Sequence, residues 1–350
     1  MRLSRGSALF LIVLVGLAVV AVLGVRALLP GEPSEDLGDE VAVEIPDGAN
    51  VDDVATMLAE DDVIDSEWRF RLAARFDARA NQIRAGEYTL REGMSATQVF
   101  DRFAEGPPPP PTFTVTVPEG LTVPQTLERI AEAGGSPHEV EDLEEGLVQI
   151  SLPEWVPSDL PEGAQQFEGL LAPATYEFEE ETPAAEILAE LVRTTDDRLS
   201  GIEPEVDWEQ YELLTVASLI EREVRIDEER PVVASVVANR LEDERLLQID
   251  ATVQYAQDEH QGRLLFEDLE IDSAWNTYEV EGLPPTPIAA PGRAALESAA
   301  HPANTDYRYY VVCDTETGEH AFAEHDEAHQ QNVARFREIQ DDGGRFCDDT

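Results

Sequence analysis

The sequence has 350 residues, enough for about two domains, and a hydrophobic fraction of 42%, which excludes a wholly disordered acidic chain. Its formal net charge of -50 excludes nucleic acid as a partner, because phosphate binding requires cationic side chains. All 24 basic residues are arginines. An acidic, halophilic proteome and codon bias in a GC-rich genome both explain this composition.

The first segment of the chain is apolar. Arg2 and Arg5 precede an uncharged stretch from Ala8 to Val25, close to the ~20 residues that span a bilayer. Arginines at this end predict a cytoplasmic N-terminus and export of the rest. A cleaved signal peptide is the alternative, but VRALLPGEP is a poor cleavage site. We therefore expect a short cytoplasmic stub and a single-pass signal anchor in residues 1–30, within the lipid bilayer of the cell (inner) membrane. An acidic linker, residues 31–40, follows.

Residues 41–106 predict a small module of strands and helices. Its first strand, VAVEI, alternates apolar and polar residues, and Asn50 caps the helix that follows. A second helix is expected over residues 66–76. Ser95 and Gln98 form a capping box at the start of the last helix.

Five prolines, residues 107–111, form a stiff spacer after this module. The strand, turn and capped helix of residues 43–58, VEIPDGANVDDVATML, recur at residues 115–130 as VTVPEGLTVPQTLERI. The unit does not continue, so a solenoid is excluded. The irregular order of strands and helices predicts an α+β fold.

The second predicted domain, residues 112–338, is a mixed α/β domain. From about residue 186 helices dominate up to residue 244, and a long irregular segment follows, which either lines a groove or forms a plain surface connection. Residues 339–350 are rich in glycine and aspartate and predict a disordered tail. Cys313 and Cys347 either form a disulfide or remain two thiols, and both alternatives stay open.

The helix LLTVASLIEREV, residues 213–224, places Glu221 and Glu223 inside an apolar pattern. At ~100° per residue the two glutamates flank one apolar stripe on either side. A carboxylate in this position costs stability unless it is paired, protonated or in use. Periodicity does not choose between function and plain pairing with one of the nearby arginines, Arg222, Arg225 and Arg230.

This helix belongs to an ordered series of motifs that resembles the YceG-like (MltG) family of endolytic murein transglycosylases. The series is FEGLLAPATYEF, LLTVASLIEREV, EERPVVASVVANRL, LLQIDATVQYA and SAWNTYEVEGLPPTPIAAPG. The resemblance reaches about residue 338 and implies a LysM-like module at residues 41–106 and a catalytic domain at residues 112–338. A single N-terminal anchor also fits this family.

The resemblance implies that Glu221 is the catalytic acid, with Ser218 and Glu223 as its supporting neighbours. Burial against the apolar face of the helix keeps such a carboxyl group protonated near neutral pH. Glu221 then protonates the bridging oxygen of a MurNAc-β-1,4-GlcNAc bond, and the resulting glutamate takes the proton of the muramyl C6 hydroxyl. The C6 oxygen closes onto C1 and gives a 1,6-anhydro-MurNAc end. This reaction requires no cofactor, no metal and no second carboxylate of the kind that glycoside hydrolases use.

The same resemblance assigns sugar-binding roles to amide, hydroxyl and aromatic side chains of the two later motifs. We expect Gln248 and Asn276 to be the better candidates for contact, whereas Asp250 has a structural alternative as a cap or a partner of Arg240. The full set is Gln248, Asp250, Thr252, Tyr255, Asn276, Thr277 and Tyr278. The chain departs from the family pattern at Ala174, Ile249 and Trp275.

Two alternatives compete with this interpretation. HDEAH, residues 325–329, resembles the zinc signature H-E-x-x-H, but Asp326 stands where that chemistry needs a glutamate, so no metal is expected. A non-catalytic peptidoglycan-binding scaffold is the other alternative, and the intact Glu221 segment argues against it. The resemblance implies peptidoglycan glycan strands as substrate, membrane-bound peptidoglycan synthases as partners and a role in terminating nascent strands.

Overall fold

The computed structural model describes residues 37–161, 164–257, 264–265, 267–340 and 343–347. The chain divides into two compact units, Met1–Pro110 and Pro111–Thr350, so the division falls inside the proline run. The predicted membrane anchor lies outside the described residues. Within the described ranges, no helix has the length and apolar character needed to cross a membrane.

The described part of the first unit, residues 37–110, contains one antiparallel strand pair and three helices. Its elements are β1 (Glu40–Ile45), α1 (Val51–Glu60), α2 (Glu67–Ala74), a 3₁₀ turn (Ala78–Asn81), β2 (Gly86–Arg91) and α3 (Ala96–Glu105). Phe70 and Phe100 are buried with ring centroids 4.8 Å apart, and they form the centre of the core. The helix expected over residues 66–76 is confirmed with slightly shorter bounds.

The predicted helix caps of this unit are present. The side chain of Asn50 accepts hydrogen bonds from the backbone N–H groups of Asp52 and Asp53. Ser95 and Gln98 form the expected reciprocal capping box at the start of α3. Local sequence alone specifies these helix starts, because each cap satisfies backbone donors that the first turn leaves unpaired.

The second unit is a mixed α/β structure with two antiparallel strand pairs, β3 with β4 and β5 with β6. Its strands are β3 (Thr112–Thr116), β4 (Thr175–Glu179), β5 (Tyr309–Val312) and β6 (His320–Ala323). Its helices are α4 (Val123–Ala131), α5 (Val140–Gln149), α6 (Ala184–Ser200), α7 (Gln210–Glu223), α8 (Arg230–Glu242), α9 (Asp250–Ala256), α10 (Arg293–Ala300) and α11 (Asp326–Ile339). Short 3₁₀ turns occur at Asp227–Glu229 and Asp268–Glu270.

The strand, turn and capped helix that recur in the sequence also recur in the structure, as β1 with α1 and as β3 with α4. Gly48 and Gly120 occupy the same place in the two turns, with φ of 77° and 78°. This left-handed conformation favours glycine, which explains why the acid–glycine pair is repeated.

Helix α7 is the centre of the second unit and packs against α8, α9 and α10. Every residue from Leu213 to Ile220 is buried. The expectation of a single apolar stripe is therefore wrong, because neighbouring helices enclose the whole circumference of α7. Glu221 is the first residue beyond this enclosed stretch.

The C-terminal segment is attached to the second unit. Cys313 and Cys347 form a disulfide, which decides between the two alternatives left open by the sequence. The backbone N–H of Phe346 also donates to the carbonyl oxygen of Cys313, at 2.8 Å. The expectation of disorder is thus corrected for residues 343–347, because a covalent bond and backbone hydrogen bonds hold them.

Candidate active site

Glu221 lies in the last turn of α7 with only 9% of its side chain exposed. Its Oε2 accepts hydrogen bonds from the backbone N–H of Gly292, at 3.0 Å, and from Nη1 of Arg230, at 3.2 Å. No described residue donates to its Oε1. One carboxylate oxygen is therefore fixed, while the other remains available for proton transfer.

Arg230 begins helix α8, and its guanidinium is as buried as the carboxylate it contacts. Its Nε donates to Oδ1 of Asp227 at 3.0 Å. Burial opposes the charge of Arg230, but Glu221 and Asp227 raise its pKa, so the guanidinium stays cationic. The plain pairing considered for the sequence thus exists for Glu221, and it leaves a permanent cation beside the predicted acid.

Glu119 is a second carboxylate at this site, and sequence reasoning did not identify it. It belongs to the Pro-Glu-Gly turn between β3 and α4, and a Cβ built on Gly292 would collide with its carboxylate. Partial burial and the neighbouring Glu221 raise the pKa of Glu119. The repeated acid–glycine turn was the only signal in the sequence, and it indicated a turn rather than a site.

These residues line an open cleft of about 770 Å³ in the second unit. Glu119, Glu221 and Glu223 lie along it, and the connection between β5 and β6 forms another part of its wall. Further lining residues include Gln125, Arg225, Thr315, Gly318, His320 and Phe336. Glu221 therefore lies in the wall of an open cleft.

Glu223 has different partners from Glu221. Its Oε1 accepts from the backbone N–H of Ala251 at the start of α9, and its Oε2 accepts from the hydroxyl of Tyr310 at 3.0 Å. Burial and the nearby Asp250 raise the pKa of Glu223. No arginine is among its hydrogen-bond partners in the described part of the chain, so this glutamate joins α7, α9 and β5.

His320 is another cleft residue that the sequence did not single out. Its Nδ1 lies 2.7 Å from Oε2 of Glu229, and its backbone N–H donates to Oε1 of the same carboxylate at 2.8 Å. Its ring meets that of Tyr310 edge-on. Glu229 therefore fixes the orientation of His320 in the cleft wall.

Three of the seven predicted sugar-binding residues remain accessible. The hydroxyl of Tyr278 donates to Oδ1 of Asp250 at 2.5 Å, and Asp250 does not pair with Arg240. Gln248 is exposed and has a φ of 52°, and its Oε1 accepts from Nη1 of Arg240 at 3.4 Å. Asp250 and Tyr278 thus lie next to Glu223, where their polar atoms can meet solvent.

Three others point into the protein. Asn276 is fully buried, and its Nδ2 donates to the carbonyl oxygens of Leu269 and Ile271. Thr252 and Thr277 are buried with their hydroxyl groups 2.9 Å apart. The geometry corrects the expectation for Asn276, because its amide organises the loop around it instead of reaching the cleft.

The remaining predicted residues also have protein partners. The hydroxyl of Tyr255 donates to Oε2 of Glu168, a fully buried carboxylate, at 3.1 Å. The hydroxyl of Ser218 donates to the carbonyl oxygen of Thr215 and accepts from the backbone N–H of Ile288. Ser218 thereby joins α7 to the segment that leads to Gly292.

The chain matches the YceG-like family over residues 43–335. An endolytic murein transglycosylase of Bacillus subtilis (strain 168) is 34% identical over 324 residues, covering 88% of this chain and 89% of that protein. An endolytic murein transglycosylase of Streptococcus pneumoniae (strain D39) is 30% identical over 84% of this chain and 58% of its own length. The crystal structure of a YceG-like protein from Listeria monocytogenes superposes with a TM-score of 0.54 at 30% identity, covering 84% of this chain and 99% of that one.

Proposed function

The chain belongs to the YceG-like family, and from that membership we propose that it cleaves murein glycan strands with Glu221 as the catalytic acid. Its enzyme class is that of a lytic transglycosylase, because the relatives named above are endolytic murein transglycosylases and match most of the chain. The observation that carries the assignment of Glu221 is its carboxylate, which lines the cleft and has one oxygen held by Arg230 and Gly292, while no described residue donates to the other.

The first chemical step is proton donation. Oε1 of Glu221 protonates the bridging oxygen of a MurNAc-β-1,4-GlcNAc bond inside a strand, and the C1–oxygen bond breaks. The negative charge that develops on Glu221 is stabilised by the guanidinium of Arg230 and by the N–H of Gly292. Both donors are in place before the reaction, so no reorganisation is needed when the charge forms.

The second step is ring closure. The muramyl C6 hydroxyl gives its proton to a carboxylate of the cleft as its oxygen bonds to C1, which leaves a 1,6-anhydro-MurNAc end and consumes no water. Arg230 matters here as well, because its hydrogen bond to Oε2 holds the carboxylate of Glu221 in place while the ring closes.

We assign sugar contacts to the accessible residues Gln248, Asp250 and Tyr278. Hydroxyl, amide and carboxylate groups beside an aromatic ring suit the edge and face of an N-acetyl sugar. The buried residues Thr252, Asn276 and Thr277 hold the backbone beneath these accessible residues. Tyr255 is held by its hydrogen bond to the buried Glu168.

The cellular setting belongs to the same proposal. An anchor in residues 1–30 would hold the enzyme at the outer face of the cell membrane, where nascent strands emerge from the synthases. The first unit, proposed as a LysM-like module, would bind glycan, and the enzyme would terminate strand elongation.

The test is digestion of un-cross-linked glycan strands by the full chain in detergent and high salt, which screens its large negative charge. Mass spectrometry of the new ends is expected to show 1,6-anhydro-MurNAc for the parent and no product for Glu221→Gln. Glu228→Gln is the matched control, since it removes an exposed carboxylate close in sequence. Reducing ends that carry added water would refute the transglycosylase, and an active Glu221→Gln would refute the assignment of the acid.

A further inference from the structure

We propose that Glu119 accepts the proton of the muramyl C6 hydroxyl, so that the acid and the base of the reaction are two different carboxylates. This inference rests on the proposed function and refines its second step. A single residue that serves in turn as acid and base is the competing hypothesis.

The turn that carries Glu119 is held on both sides. The backbone N–H of Gly120 donates to the carbonyl oxygen of Ala290 at 2.8 Å. The backbone N–H of Ala290 donates to the carbonyl oxygen of Leu121, also at 2.8 Å. Nη1 of Arg222, the residue after Glu221, donates to the carbonyl oxygen of Gly120 at 3.1 Å. The turn is thus fixed to α7 and to the segment before Gly292, and such support is what a catalytic group requires.

Glu119 and Glu221 meet at Gly292. The N–H of Gly292 donates to Glu221, and the carboxylate of Glu119 occupies the space where a side chain of residue 292 would begin. Standard backbone dimensions then place the nearest oxygens of the two carboxylates within about 8 Å of each other. This upper limit places both carboxylates within reach of a single muramyl residue, and we assign the C6 hydroxyl of that residue to Glu119.

The two carboxylates differ in their availability. Oε2 of Glu221 accepts from Arg230 and Gly292, and we assign its Oε1 to the leaving oxygen. Glu119 is an exposed residue whose carboxylate is partly buried against Gly292, and no described residue donates a hydrogen bond to that carboxylate. An incoming hydroxyl group is therefore the partner that Glu119 lacks.

The charges around Glu119 come from several elements. Glu221 on α7 and the nearby Asp227 raise its pKa, whereas Arg230 on α8 and Arg198 on α6 lower it. Burial is the largest influence and also raises the pKa. A carboxylate with a raised pKa is a stronger base, which suits the removal of a hydroxyl proton.

Each proton that moves in this step has a donor and an acceptor. The proton of Glu221 goes to the departing GlcNAc oxygen as the C1–oxygen bond breaks, and the C6–O–C1 bond forms as the C6 proton goes to Glu119. The cleft then holds a neutral Glu119 and an ionised Glu221. Transfer of one proton from Glu119 to Glu221, through solvent in the open cleft, restores the starting state.

The experiment compares the full-length parent with Glu119→Gln on un-cross-linked glycan strands, recording kcat and KM from pH 4.5 to 9. Because the pair titrates together, the parent is expected to show activity that first rises and then falls with pH. In Glu119→Gln we expect kcat to fall about 100-fold, the usual contribution of a general base, with KM changed less than about threefold. One limb of the profile should disappear, since Glu119→Gln removes one of the two titrating groups. Glu128→Gln, which removes an exposed carboxylate from α4, is the matched control and should keep the parental profile.

A second variant tests placement without changing charge. Gly292→Ala keeps both carboxylates and the N–H donor, and its φ of -74° accommodates alanine, but the new Cβ displaces the carboxylate of Glu119. We expect kcat to fall at least tenfold with unchanged thermal unfolding.

The outcomes separate the two proposals. Anhydro ends from the parent together with a parental pH profile in Glu119→Gln would overturn the role of Glu119 and leave the transglycosylase intact. Reducing ends from the parent would overturn the proposed function itself.

Discussion

Replacing Glu168 with glutamine should stabilise the protein in a pH-dependent manner. Glu168 is 1% exposed, and burial raises its pKa from 4.5 to about 7. The N–H of Val123 and the hydroxyl of Tyr255 lower it again, but they do not offset burial. The folded state therefore favours the neutral carboxyl group, which glutamine resembles in shape.

The sign and size follow from linkage between protonation and folding. The folded pKa lies above the unfolded one, so the contribution of Glu168 to stability is complete below 4.5 and is lost as pH rises through 7. The difference between the folded and unfolded pKa values of Glu168 corresponds to about 3 kcal/mol of folding free energy in total. As the pH rises from 5.5 to 8.5, the free energy of unfolding of Glu168→Gln should increase by about 2 kcal/mol relative to that of the parent.

The assay is urea unfolding at several pH values, followed by tryptophan fluorescence. Trp155, Trp208 and Trp275 lie in the second unit, so the signal reports mainly on the unit that contains Glu168. Glu144→Gln, on an exposed face of α5, is the control and should show no such trend. A stability difference that stays constant across this pH range would mean that Glu168 does not change protonation there, and the reasoning would be refuted.

Two further predictions concern charge and covalent structure. Arg230→Gln should lower kcat about 100-fold in glycan digestion, because the charge that develops on Glu221 loses its buried cation. Arg293→Gln replaces an exposed arginine and should leave kcat unchanged. Equal losses in both variants would contradict the role of Arg230. Reduction of the Cys313–Cys347 disulfide, which closes a loop with a sequence separation of 34, should lower the free energy of unfolding by about 3–4 kcal/mol. Urea unfolding with and without reductant measures this loss, and overlapping curves would count against it.

Local sequence specified the helix caps because all their partners lie within three residues. Asn50 with Asp53, and Ser95 with Gln98, need no tertiary structure to form. The recurring turn at Gly48 and Gly120 was readable for the same reason, since φ of 77° and 78° favours glycine.

The site was only partly predictable because its geometry depends on distant contacts. The hydrogen bond that fixes the turn beside Glu119 joins residues 102 positions apart, and the pair of His320 with Glu229 spans 91. The predicted sugar contact of Asn276 was not readable for another reason. An amide in a loop motif fits sugar binding and loop organisation equally well, and only its burial distinguishes the two.

The enclosure of α7 also has a kinetic consequence. Amide protons of a helix that is buried on all sides exchange with solvent chiefly when the whole unit opens. Glu221 extends from the end of that helix, so the smaller and more frequent openings of surface loops leave its backbone in place. The proposed acid is thus attached to the part of the molecule that should open last.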